Sequence, residues 1–389
     1  MPFLSFASNF LWVMVIGLLG PSLPAILTGL GISYAQAGFF FTLLSLGSLI
    51  GSSLGAIGSD YLPRRILFAG CIVMLAIGLS VLGFTRTYAM VALLIFLLSL
   101  LGSPIGAIGQ SIMLDMFPEK REKYLSLQTF FGAIGSLCAP IVVSVNYTAS
   151  LSWRWPFVET AVLALVLFVA LMAVRIPPLS GTRERRGILD ILRNRRVASC
   201  AILIFLSVAA DLGFSYWLAE YFKTELHVDL RLSSSVVGIY LVGICAGRLL
   251  VPVFLKRMHP RTNLILGLST AFACIVPFIL VPWVPVKAAL CAVYGFGIGP
   301  VFPLLMARGS REFPSQPGSV TGVLFGCLSL GGMVFPLLIG SIAAKVGIAR
   351  SYSVCAAVVC GLLLAVAFGE GGGSPGLRLT ARPARRRHA

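Results

Sequence analysis

The sequence predicts an all-α membrane protein with 12 transmembrane helices in two six-helix bundles. Of its 389 residues, 58% are hydrophobic and 11% are charged, and the mean hydropathy is +0.97. A soluble domain is about a quarter charged, because its surface must be solvated. Apolar stretches of about 20 residues recur along the chain, each long enough to cross roughly 30 Å of hydrocarbon as a helix. They lack the period-2 alternation of β-barrel strands.

The apolar stretches also define the expected domains. An N-terminal six-helix bundle is predicted over residues 1–174 and a C-terminal six-helix bundle over 198–369. A basic cytoplasmic linker over 175–197 separates them, and the basic tail over 370–389 is predicted to be disordered. The predicted spans are 4–27, 35–58, 66–84, 88–116, 124–146, 155–174, 198–222, 234–255, 262–284, 287–309, 318–343 and 350–369.

The distribution of basic residues predicts the orientation. With the N-terminus inside, 22 of the 30 Lys and Arg residues fall in inside loops or the tail, 7 fall outside, and Arg248 lies in a span. This bias predicts an N-in, C-in topology. Because these residues are spread over short loops, the net charge of +17 does not indicate nucleic-acid binding. Membrane lipids and a small solute are the expected partners of a monomer.

The two halves of the sequence match at an offset of 196 residues. Apolar helices share small residues by chance, but eight matches at one offset indicate an internal repeat of six spans. The matched residues are Gly17 and Gly213, Gly47 and Gly243, Gly51 and Gly247, Arg65 and Arg261, Phe117-Pro118 and Phe313-Pro314, Gly135 and Gly331, and Pro140 and Pro336.

Three loop motifs carry a resemblance to a known family. Between spans two and three, Asp60 follows a small residue and precedes Arg64 and Arg65 by four and five positions, although Ala56 and Pro63 replace the usual glycines. The other two motifs are Trp153-Arg154-Trp155-Pro156-Phe157 and Phe117-Pro118-Glu119-Lys120-Arg121. With them, residues 5–369 resemble the major facilitator superfamily of secondary active transporters. The resemblance implies alternating access, with Asp60, Arg64 and Arg65 as a cytoplasmic latch.

Two further stretches are similar to the fucose/proton-symporter-like branch of that superfamily. They are Gly295–Pro303, with Gly331-Gly332 and Pro336 later, and Asp211–Tyr221, in which an acid precedes a Trp by six residues. This similarity implies proton-coupled uptake of a sugar-like solute. The chain departs from the branch by lacking acids at mid-depth in its first and fourth spans.

Two charged residues lie well inside the predicted spans. A charge at mid-membrane costs on the order of 2.5–3.5 kcal/mol, so both side chains are expected to face the bundle interior. We hypothesise that Asp211 binds a proton or a cation, with Phe214, Ser215 and Leu218 on the same helical stripe. Arg248 follows a run of small residues and either donates to backbone carbonyls or binds an anionic substrate. The two are not expected to pair, because their depths differ.

The resemblance also implies which helices line the substrate cavity, namely the first, fourth, seventh and tenth. An aromatic or amide side chain suits a hydroxylated substrate by stacking and hydrogen bonding, although each such residue more often serves packing. The resulting substrate-binding candidates are Asn9, Trp12, Gln110, Asp211, Ser215 and Tyr294, with Ile16, Gly106 and Met113 on the same stripes.

Several function classes remain as alternatives to uptake. Proton-driven export of drugs or metabolites is the main one, and a receptor or lipid scramblase on the same fold is another. No Walker A motif occurs, so an ion gradient, without a cofactor, is expected to supply the energy. An enzyme is not expected, because His227, His259 and His388 all fall in loops or the tail, where none can activate a buried nucleophile. A bacterial inner membrane or a plasma membrane is the expected location.

Overall fold

A computed structural model describes residues 2–61, 63–117, 121–174, 194–254, 258–310 and 317–368. Over these ranges the chain forms helices joined by short turns, and 12 of the helices are long and apolar enough to cross a membrane. This confirms the predicted fold class. Most of the predicted linker and all of the predicted tail lie outside the described residues.

The first six helices follow the predicted spans closely. The signature motif between the second and third spans is largely helical, because the second helix continues to Tyr61 and the third begins at Arg64. The six are α1 (Pro2–Leu30), α2 (Tyr34–Tyr61), α3 (Arg64–Leu82), α4 (Tyr88–Met116), α5 (Arg121–Thr148) and α6 (Trp155–Met172).

The last six spans are less regular, because three of them contain a break. The seventh span contains a π-helical turn, Ala209–Gly213, and Pro300 separates the two parts of the tenth. The segments are α7a (Arg195–Val208), α7b (Phe214–Glu225), α8 (Leu230–Phe254), α9 (Pro260–Leu280), α10a (Val284–Ile298), α10b (Val301–Ser310), α11 (Pro317–Val346), α12a (Ile348–Ser351) and α12b (Ser353–Phe368).

The sequence repeat corresponds to a repeated packing contact. Gly47 in α2 lies so close to α4 that an added Cβ would be 2.6 Å from the carbonyl oxygen of Phe96. Its repeat partner Gly243 in α8 meets the carbonyl oxygen of Ala292 in α10a, which lies 196 residues after Phe96. Small residues let membrane helices approach closely. The two halves therefore share one packing pattern.

Among the described residues, the hydrogen bonds between the two halves lie at one end of the molecule, which we call the closed end. It contains the last turns of α1, the first half of α2, the last turns of α5 and all of α7b. The bonds join Tyr34 to Glu220, Thr42 to Met333, Ser144 to Ser235 and to Arg231, Lys223 to Pro24, and Ser234 to Pro21.

The aromatic motif before α6 also lies at the closed end. The Arg154 guanidinium donates two hydrogen bonds to the carbonyl oxygen of Thr85 and lies over the Trp153 ring, 4.5 Å from its centroid. Trp153 is buried against Gly29 of α1. The motif therefore ties the ends of α1, α3 and α6 together.

Candidate functional site

The π turn in the seventh span places Asp211 near the middle of that span. A π-helical turn is rare and often occurs at functional sites. The Asp211 side chain is half-buried, and its Oδ1 accepts a hydrogen bond of 2.7 Å from the hydroxyl of Tyr240 in α8. Tyr240 itself is fully buried. The arrangement presents one carboxylate, anchored on one side, at mid-membrane.

Side chains from neighbouring helices satisfy the backbone carbonyls of the π turn. The Tyr294 hydroxyl donates to the carbonyl oxygen of Ala210 at 2.6 Å, and Cys355 donates to that of Ala209 at 3.4 Å. One residue beyond the turn, Tyr352 donates to the carbonyl oxygen of Phe214 at 2.9 Å. An unpaired carbonyl in the membrane costs several kcal/mol. These side chains therefore stabilise the wide turn.

The turn also changes which residues share a face with Asp211. The expected stripe assumed an uninterrupted α-helix, whereas the wider π turn rotates every later residue relative to Asp211. Phe214 and Leu218 are fully buried, and Phe214 packs against the ring of Tyr294 with the centroids 4.3 Å apart. Ser215 is also buried, against α1 near Gly20. The substrate-binding roles of Ser215 and Tyr294 stay predictions, and their burial favours packing.

Arg248 contacts the break in the tenth span. Its Nε donates a 3.1 Å hydrogen bond to the carbonyl oxygen of Gly299, between α10a and α10b. Pro300 cannot supply an N–H to the helix that precedes it. This contact supports the structural role of Arg248, which stays a prediction, and Arg248 forms no described bond with Asp211.

A second polar cluster lies in the N-terminal half. The Asn9 amide nitrogen donates to the carbonyl oxygen of Gln128 in α5 at 2.7 Å, and the Gln128 amide donates to the carbonyl oxygen of Gly106 in α4 at 3.3 Å. Gly132 leaves room for Asn9, because a Cβ there would lie 2.5 Å from its amide nitrogen. Gln128 is buried and was not among the residues predicted from sequence. Asn9 is half-buried, and its substrate-binding role stays a prediction.

The other cavity candidates have different environments. Trp12 is buried in the groove over Gly102 of α4, so the half-exposed stripe of α1 is Asn9, Val13 and Ile16. This geometry favours packing for Trp12. Gln110 is exposed near the end of α4.

The predicted latch is described only in part. The side chain of Asp60 lies outside the part of the chain that the structure describes, and Arg64 is buried. Arg65 donates a 2.8 Å hydrogen bond to the carbonyl oxygen of Met172 at the end of α6, rather than to an acid. Helix C-terminal carbonyls favour a cation. The latch function stays a prediction.

Two buried charged residues were not singled out from the sequence, because Lys287 was counted with the outside loops and Glu220 lies near the end of the seventh predicted span. Lys287 is 2% exposed in the first turn of α10a, lies 4.5 Å from the ring centroid of Tyr221, and donates a hydrogen bond to its hydroxyl. Glu220 is 4% exposed in α7b. Their neighbours in the sequence are mostly aromatic or aliphatic, and this was the available signal.

Two further observations concern metal binding and the positions of the polar side chains in the described residues. No group of three His, Cys, Asp or Glu residues suited to a metal ion occurs in the described residues. The two polar clusters described above include Asn9 of α1 and Asp211 of the seventh span.

The family model of the Major Facilitator Superfamily matches residues 5–336. The chain belongs to this superfamily. It is therefore a multi-pass integral membrane protein of a transporter family, and not an enzyme. This confirms the resemblance found in the loop motifs and the repeat.

Named relatives of this superfamily member are distant. A protein TsgA homolog of Erwinia tasmaniensis is 23% identical over 353 residues, which cover 88% of each chain. The uncharacterized MFS-type transporter YfkL of Bacillus subtilis is also 23% identical, over 83% of this chain and 82% of its own length.

Solved structures show the same fold at low identity. The nucleoside transporter NupG superposes with a TM-score of 0.76 at 19% identity, over 94% of this chain and 97% of the other. A bacterial homolog of the human lysosomal transporter Spinster, in an inward-facing conformation, gives a TM-score of 0.74 at 16% identity over 94% of both chains. At this identity the likeness shows the fold alone.

Proposed function

We propose that this superfamily member is a secondary active transporter that takes up a hydroxylated organic solute, sugar-like or nucleoside-like, together with protons. The half-buried Asp211 carboxylate at mid-span carries the proposal, because an ionisable group at this depth marks a substrate or proton pathway. Asn9 offers an amide for hydroxyl groups from the other half. The name of the structural neighbour NupG supports including nucleosides among the candidates.

We further propose that the closed end faces outside, as the positive-inside bias predicts. The chain then has the arrangement of an inward-facing transporter, with the halves held together on the outside. Cysteines introduced at positions 183–196 should react with an impermeant reagent only from the cytoplasmic side of a bacterial inner membrane, and a cysteine at Lys345 only from outside. The opposite labelling pattern would reverse the orientation.

The coupling role of Asp211 is tested by Asp211→Asn in proteoliposomes. Asn keeps the size of the side chain and can still accept from Tyr240, but it cannot change its charge. We expect accumulation driven by a pH gradient to fall at least about tenfold, while exchange of labelled solute across the membrane persists. Sugars and nucleosides are screened first as substrates. The direction of the pH gradient that drives accumulation then distinguishes uptake with protons from export against protons.

Asp229→Asn is the matched control. Asp229 is exposed at the start of α8, where its carboxylate accepts from the backbone N–H of Leu232, and Asn can make the same cap. The control removes one carboxylate without touching the interior, so its accumulation should equal that of the wild type. Unchanged uphill accumulation in Asp211→Asn would exclude Asp211 as the coupling group.

A further inference from the structure

Glu220 is a buried carboxylate at the contact between the two halves. It lies in α7b with 4% of its surface exposed. Its Oε1 accepts hydrogen bonds from the hydroxyl of Tyr34 at 3.1 Å and from the hydroxyl of Thr224 at 2.7 Å. Its Oε2 is buried and has no hydrogen-bond partner among the residues that the structure describes. Both donors are uncharged.

The contact crosses from one half to the other. Tyr34 begins α2, whereas Glu220 and Trp217 belong to α7b. The Tyr34 ring packs edge-on against Trp217 with the centroids 5.8 Å apart, and the Trp217 indole N–H donates to the carbonyl oxygen of Pro336. When the halves separate at the closed end, Glu220 loses the hydroxyl and the ring of Tyr34, so that its carboxyl group becomes open to water.

The neighbouring charged groups have other hydrogen-bond partners. In α7b, Lys223 donates to the carbonyl oxygen of Pro24, and Glu225 accepts from the backbone N–H of Ala349. The neighbouring α1 has no ionisable side chain. Tyr34 is the titratable group that faces Glu220 from α2. The charged residues that α11, α12a and α8 contribute at this end are exposed, namely Lys345, Arg350 and Arg231. In α8, the hydroxyl of Tyr240 donates to Asp211 and not to Glu220.

A buried charge is costly unless it is paired, and an ionised Glu220 would keep one oxygen without a donor. A neutral carboxyl group avoids the cost of the buried charge. We propose that Glu220 is a second proton-binding group of the transporter and that it must be protonated for the halves to close at this end. The inference rests on the proposed alternating access, but it does not require Asp211 to be the coupling group.

The direction in which pH shifts the balance between open and closed molecules follows from their difference in bound protons. The closed arrangement holds the proton and the opened one releases it, so raising the pH favours opening. For one proton, the ratio of open to closed molecules rises by at most about tenfold per pH unit. The dependence disappears when residue 220 cannot ionise.

Distance measurements between spin labels report the opening directly. Thr87 and Arg350 are exposed residues at the closed end, one in each half, and both are changed to Cys after the nine native cysteines are replaced. In nanodiscs between about pH 5 and pH 9, the labelled protein should shift from a short to a long distance as the pH rises. With Glu220→Gln, the short distance should persist over the whole range.

Three variants complete the test. Glu220→Asp keeps an ionisable group and should keep the pH dependence, and Asp211→Asn should keep it as well, even where accumulation is lost. Tyr34→Phe removes one donor and should shift the midpoint. A wild-type distance independent of pH, or an equal pH dependence in Glu220→Gln, overturns the proposal. If Glu220→Gln does not fold, an unshifted midpoint in Tyr34→Phe overturns it.

Discussion

The N-terminal and C-terminal halves share a scaffold but differ in where their charges lie. α1 is one uninterrupted helix of 29 residues without an ionisable side chain. Its repeat partner, the seventh span, contains a π turn, Asp211 and Glu220. α4 is likewise continuous, whereas the tenth span is broken at Gly299. The comparison teaches that a packing pattern can be repeated although the carboxylates of the seventh span have no counterpart in α1.

Substitution of a glycine at the repeated helix contact should have the largest effect. In Gly247→Ala, the new methyl group would overlap the carbonyl oxygen of Phe296, a backbone atom that cannot rotate away. Overpacking of this kind costs about 3 kcal/mol. We expect a lower unfolding temperature for the purified protein in detergent.

The comparison between halves gives this experiment its controls. Gly51→Ala should cost about as much as Gly247→Ala, because an added Cβ would meet the carbonyl oxygen of Leu100. Gly326→Ala in α11 meets no heavy atom within 4 Å and should leave stability unchanged or slightly raised. Equal unfolding temperatures for Gly247→Ala and Gly326→Ala would refute the shared packing contact.

The arginines at repeated positions should show a smaller, graded effect. Arg261 donates to the carbonyl oxygens of Val366 and Ala367 at 3.1 and 2.9 Å, whereas its partner Arg65 is exposed and donates to Met172. Arg261→Ala should cost about 1.5 kcal/mol and Arg65→Ala about 0.5 kcal/mol. Urea unfolding of the two variants measures the difference, and a larger loss for Arg65→Ala would contradict the ranking.

Much of the fold could be predicted from the sequence, because the membrane imposes long apolar helices and the repeat is visible in its small residues. The site was less predictable. The sequence predicted Trp12 on the cavity face of α1, but in the structure its ring packs in the space over Gly102. A π turn has no marker in hydropathy, so the residues expected beside Asp211 were assigned with the wrong period. Lys287 and Glu220 were not singled out because both lie near the ends of predicted spans, although both side chains are buried.

The π turn also changes the residue offset between the two halves of the repeat. Gly135 meets the carbonyl oxygen of Phe10, and Gly331, 196 positions later, meets that of Phe205, which is only 195 positions after Phe10. The 196-residue offset returns at Gly17 and Gly213. One extra residue therefore enters the seventh span between Phe205 and Gly213, where the π turn lies. An alignment of the halves needs a one-residue gap there, and the carboxylate that we propose for coupling, Asp211, lies within this π turn.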